Sequence, residues 1–65
     1  MNLIEGIQAE LKRCRELRQI YEDIGPAGIF GKLMIDSSIK EAEAALPTGD
    51  ITKIRRAYAD LKQRE

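Results

Sequence analysis

From Leu3 to Ile24, apolar residues recur almost entirely at intervals of three and four: Leu3, Ile4, Ile7, Leu11, Cys14, Leu17, Tyr21 and Ile24. That spacing puts them on one stripe of an amphipathic α-helix, and no strand pattern accommodates it. Ile20 widens the stripe near its end. Asn2, followed by Glu5, is a capping-box-like start. At about 1.5 Å per residue the helix is about 33 Å long. This is long for a 65-residue chain, so part of its stripe is expected to meet another copy.

Two breaks divide the remainder. Gly25-Pro26 must stop the first helix, because proline disfavours the α conformation of the residue before it and glycine suits a C′ position. Pro26 is equally acceptable as the first residue of the next helix. A second helix is therefore predicted from Pro26 or Ala27 to Leu46. Its first half carries Ile29, Phe30, Leu33, Met34 and Ile35 with hardly any polar face, Lys32 excepted. A helix apolar nearly all round is buried nearly all round, so this region is read as a subunit interface, centred on Ile29, Phe30, Leu33 and Met34. In the second half Ile39, Ala42 and Leu46 face inward, while Lys40, Glu41 and Glu43 face water. Pro47-Thr48-Gly49 breaks that helix, and Asp50 is a good N-cap for a third. Ile51, Ile54, Tyr58 and Leu61 then form a narrow seam, with Ala57 alongside, up to about Gln63.

The expected fold is all-α: a single domain over residues 1–65, with three helices (long, medium, short) forming antiparallel helical hairpins completed by homo-oligomerisation. The expected core is Ile7, Leu11, Cys14, Leu17, Tyr21, Phe30, Leu33, Met34, Ile39, Leu46, Ile54, Tyr58 and Leu61. Cys14 is the only cysteine and histidine is absent. With neither a disulfide framework nor a zinc site, oligomerisation is the one usual staple left to so small a domain.

The same absences bear on chemistry. Without histidine, neither Cys-His nor Ser-His pairs can be built. Cys14 has four basic residues within a turn that could lower its pKa, but it lacks a partner base and is read as an inert core residue. No catalytic residue, metal site or cofactor is predicted, and the chain is not expected to be an enzyme. Met1-Asn2-Leu3-Ile4-Glu5 has no signal-peptide character, and no apolar run approaches the roughly 18 residues of a membrane span. A cytoplasmic protein with no membrane partner is expected. Eleven basic residues balance eleven acidic ones, which argues against a partner that is a DNA or RNA polymer.

The basic residues are nevertheless clustered: Lys12, Arg13, Arg15 and Arg18 in the first helix, then Lys53, Arg55, Arg56, Lys62 and Arg64 in the third. They either complement the acidic middle segment or converge on one anionic ligand. Gly25 to Lys32 invites comparison with a phosphate-binding loop and fails it. Pro26 stands where that loop needs glycine, Leu33 where it needs Ser or Thr, and a helix precedes it instead of a strand. Two readings of Gly28 and Gly31 remain: a helix start open to phosphate, or a close approach of two helices or two subunits. Tyr21 is likewise either a stacking platform for a base or a core-edge residue.

The run Ile20-Tyr21-Glu22-Asp23-Ile24-Gly25-Pro26-Ala27-Gly28-Ile29-Phe30-Gly31-Lys32-Leu33-Met34-Ile35, with Thr48-Gly49-Asp50, Arg56-Ala57-Tyr58 and Leu61-Lys62 after it, resembles short helical proteins encoded by phages and prophages. The likeness spans roughly residues 17–63. It implies an accessory protein of the host cytoplasm that counters bacterial defence. One form would be a homo-oligomer that sequesters a nucleotide-derived defence signal, a cyclic nucleotide or ADP-ribose derivative, through Tyr21, Gly28, Lys32, Arg15, Arg18, Arg55 and Arg56. The alternative is a protein-interaction module, similar to anti-CRISPR proteins, that inhibits or regulates a host protein.

Overall fold

The computed structural model of the protein describes residues 2–65 and is helical. Helix α1 covers Leu3–Ile24, α2 Ile29–Ala45 and α3 Ile51–Lys62, with single 3-10 turns at Pro26–Gly28 and Leu46–Thr48. The molecule measures 36 × 19 × 17 Å, its long axis matching the length of α1.

The ends of the helices lie where local chemistry sets them. The Asn2 side chain accepts from the Glu5 N–H at 2.8 Å. Asp50 accepts from the N–H groups of Thr52 and Lys53 at 2.9 and 3.3 Å, satisfying donors that a helix start leaves unpaired. Gly49 is left-handed at φ 69°, and Thr48 Oγ1 donates to the Ala45 carbonyl at 2.6 Å. Helix α2 is shorter at both ends than the periodicity predicts, because Pro26 and Leu46 open tighter 3-10 turns at its borders.

All three helices touch one another. The core consists of Ile7, Leu11, Cys14, Ile35, Ile39, Ala42, Ala45, Ile54, Ala57 and Leu61, with Leu3, Leu17, Tyr21, Leu46 and Tyr58 partly buried against it. Two corrections to the expected core follow. Ile35 belongs to it, since Ile35, Ile39 and Ala42 form an i, i+4, i+7 stripe facing the other helices. Phe30, Leu33 and Met34 do not, because they lie on α2's other faces and are exposed. Buried Ser38 donates to the Met34 carbonyl at 3.2 Å and accepts from Arg64 Nε at 2.8 Å.

Arg13 fastens the end of α3 to α1. Its guanidinium donates to the carbonyls of Leu61 and Arg64 at 2.8 and 2.7 Å and to Glu10 at 2.7 Å. It thus satisfies carbonyls that a helix C-terminus leaves free. Ion pairs link α1 to α2 in register: Glu22 with Lys32, Arg18 with Asp36, Arg15 with Glu43. Residues successively earlier in α1 meet residues successively later in α2.

Candidate functional site

The Gly25–Gly31 turn is built for close packing. A Cβ on Gly28 would stand 2.3 Å from the Tyr21 carbonyl oxygen, and one on Gly31 would stand 2.7 Å from the Tyr21 ring. Only glycine lets α1 and α2 approach this closely. The same packing limits the turn as a phosphate cradle. Pro26 has no N–H, and the N–H groups of Gly28 and Ile29 already donate to the carbonyls of Gly25 and Pro26. Tyr21 is held as well, its ring against Gly31 and its hydroxyl donating to the Glu65 carbonyl at 2.6 Å.

Tyr21 and Lys32, two of the proposed nucleotide ligands, do share a groove of about 410 Å³, with Gly25, Pro26, Ile29 and Glu22. The Lys32 ammonium lies 3.1 Å from the Glu22 carboxylate, so an acid stands where a phosphate would enter. Arg15 and Arg18 lie elsewhere, paired with Glu43 at 3.1 Å and Asp36 at 2.6 Å. Such surface pairs are worth about 0–1 kcal/mol each, yet an incoming anion must displace both carboxylates. Arg55 and Arg56 are exposed and make no ion pair among the described residues. Arg56 lines a separate groove of about 320 Å³ between α2 and α3 with Lys53 and Glu41. None of these grooves holds residues from both basic segments of the nucleotide set.

Asp36 also receives Lys40 at 3.0 Å. Hydrogen bonds from Lys40 and then Arg18 hold its carboxyl below its ordinary value. A pKa depressed in the folded state gives stability that is present above the unfolded value and lost as the pH falls through the folded one. Asp36→Asn should therefore melt below wild type at neutral pH, and the gap should close below about pH 4, the ordinary aspartate range. Thermal melts across that interval read it directly.

Cys14 is fully buried and its Sγ lies 3.5 Å from the Leu61 carbonyl. Burial pushes the thiol up, outweighing the opposing charge of Arg13. The folded protein should react with a thiol reagent only at the rate at which it opens, and at full speed once denatured. Among the described residues no cluster of three or more His, Cys, Asp or Glu could hold a metal ion. No helix among them is long and apolar enough to cross a membrane.

Most of the exposed large apolar residues lie near the turn between α1 and α2. On α2, Ile29, Phe30, Leu33 and Met34 are 44, 79, 56 and 54% exposed, and on α1 Ile20 and Ile24 are 57 and 55% exposed. Periodicity assigned Ile20 and Ile24 to the buried stripe of α1. The reason they are exposed is the length of α3. Its twelve residues reach about 18 Å, against about 33 Å for α1. The segment after α3 comes level with Tyr21 and Ser38, where Glu65 and Arg64 bond, so α3 does not flank the last turn of α1 or the first turn of α2. The predicted helix lengths already contained this mismatch.

The molecule so described is an all-α three-helix protein with exposed large apolar residues near the turn between α1 and α2. No protein family, curated protein or solved structure matches the chain.

Proposed function

We propose that the chain is a non-catalytic protein-interaction module that docks through the turn end of its α1–α2 hairpin. The observation that carries this reading is Phe30, 79% exposed on a regular helix and flanked by five other exposed large apolar residues. Large exposed apolar side chains gathered near one turn, rather than scattered singly, are what mark an interaction surface. Aromatic and methionine side chains at the centre are those enriched in interface cores.

The order of the α1–α2 ion pairs supports an antiparallel hairpin as the frame. Its two glycine-mediated contacts with Tyr21 keep the surface rigid, which lowers the entropy lost on docking. The resemblance to phage accessory proteins suggests a host cytoplasm as the setting. The nucleotide-sequestering reading draws on less: Arg15, Arg18, Lys32, Tyr21 and Gly28 are each engaged within the chain, leaving Arg55 and Arg56 free.

A photo-reactive benzophenone residue tests the reading when placed at position 30 and, as a control, at position 55, in cells expressing the chain. Position 30 should give covalent adducts to protein and position 55 should not. Adducts from 55 alone would overturn the reading, as would none from 30.

A further inference from the structure

We infer that the occupant of this surface is a second copy of the chain, bound about a two-fold axis so that Phe30 of each copy enters a notch in the other. The inference rests on the docking reading above and names its partner.

The notch has a volume of about 160 Å³ and is lined by Tyr21, Gly31, Met34 and Ile35 together with the polar Gln63, Arg64 and Glu65. A cavity of about 150 Å³ accommodates a benzene ring, so the notch is sized for a phenylalanine side chain. Phe30 cannot fill its own notch: it is 79% exposed on the adjoining face of α2. Knob and notch are thus neighbours on one surface, one residue apart in sequence.

That adjacency is what an isologous pair requires. In a two-fold interface the same patch meets itself, so each contact is made twice. A knob beside its own notch lets both Phe30 rings seat at once. Ile20 and Ile24 on α1, and Met34 on α2, would then be covered by the same residues of the other copy. The ends of α1 and α2 would gain the flanking helices that α3 does not supply, giving a short four-helix arrangement with left-handed packing.

Electrostatics do not oppose it. The formal net charge is zero, so two copies approach without mutual repulsion, a condition that promotes association. None of the six patch residues is charged, and the ionic groups at the groove beside Ile29, Glu22 and Lys32, already neutralise each other. At the notch, Arg64 already pairs with Asp60 at 2.9 Å, and Glu65 is exposed, so its carboxylate can stay in water beside a seated ring.

Sedimentation analysis of the purified chain across the micromolar range tests this. Wild type should show a two-chain species that dissociates on dilution. Phe30→Asp should sediment as one chain throughout while keeping wild-type helical circular dichroism. Phe30→Ala should weaken association at least tenfold, because it empties both notches. Met34→Lys, on the notch wall, is a second variant expected to dissociate the pair. A single chain at all concentrations would overturn the inference, and so would an assembly of another number or a pair that survives both Phe30→Asp and Met34→Lys. A single chain that still crosslinks from position 30 to a different protein would remove the second copy and leave the docking reading standing. A single chain with no crosslink would remove both.

Discussion

Replacing Ile35 by alanine should cost the folded chain about 3 kcal/mol, whereas replacing its neighbour Met34 should cost under about 1 kcal/mol. Ile35 is 2% exposed and lies in the stripe shared with Ile39 and Ala42. Removing its outer methyl groups forfeits their transfer energy and leaves a cavity that three helices already in contact cannot readily close. Met34 is more than half exposed, and its backbone carbonyl still accepts from Ser38 after truncation. In a domain of this size 1 kcal/mol moves the melting temperature by roughly 4–8 °C, so Ile35→Ala should melt some 12–24 °C below wild type. Melts are to be made in dilute solution, where self-association does not contribute. Equal effects at the two positions would mean that α2 is rotated about its axis relative to the arrangement described.

Gly28→Ala should be the most damaging of the glycine substitutions, at about 3 kcal/mol. The added Cβ would meet the Tyr21 carbonyl oxygen at 2.3 Å and its carbon at 3.1 Å. Both are backbone atoms inside α1 and cannot swing aside, so the turn at Gly28 must move away from α1. The backbone conformation is not the difficulty, since φ at Gly28 is −93°. Gly31→Ala meets the Tyr21 ring instead, at 2.7 Å. A ring can shift, and alanine regains about 1 kcal/mol of helix propensity, so this substitution should cost less. Gly25→Ala meets nothing within 4 Å but must adopt φ 87°, a strain of about 1–2 kcal/mol. Chemical denaturation of the three variants should rank Gly28 as the costliest, and any other residue in first place would contradict the close contact at Tyr21.

The helices and their stops were legible because their signals are local. Asn2 and Asp50 cap within their own first turns, and Gly25-Pro26 and Pro47-Thr48-Gly49 interrupt the periodicity regardless of tertiary context. Which face of α2 is inside was not legible, since Ile29, Phe30, Leu33, Met34 and Ile35 leave almost no polar side to orient the helix. Burial there depends on where α1 and α3 lie. The basic cluster of α1 shows the same limit: Arg13 closes the end of α3, Arg18 finds Asp36 and Arg15 finds Glu43. Those partners are 18 to 51 residues away and share no local pattern. Of the two readings of Gly28 and Gly31, helix approach is the one their contacts with Tyr21 favour.

The central claim is that this molecule recognises protein through its apolar end, and native mass spectrometry tests it most directly. The purified chain is measured alone and with cyclic dinucleotides, cyclic trinucleotides and ADP-ribose derivatives. The account predicts that no nucleotide mass is retained by wild type or by Phe30→Asp. A defined nucleotide mass on the wild type, lost when Arg55 and Arg56 are both changed to alanine, would contradict it and establish the basic residues as the site.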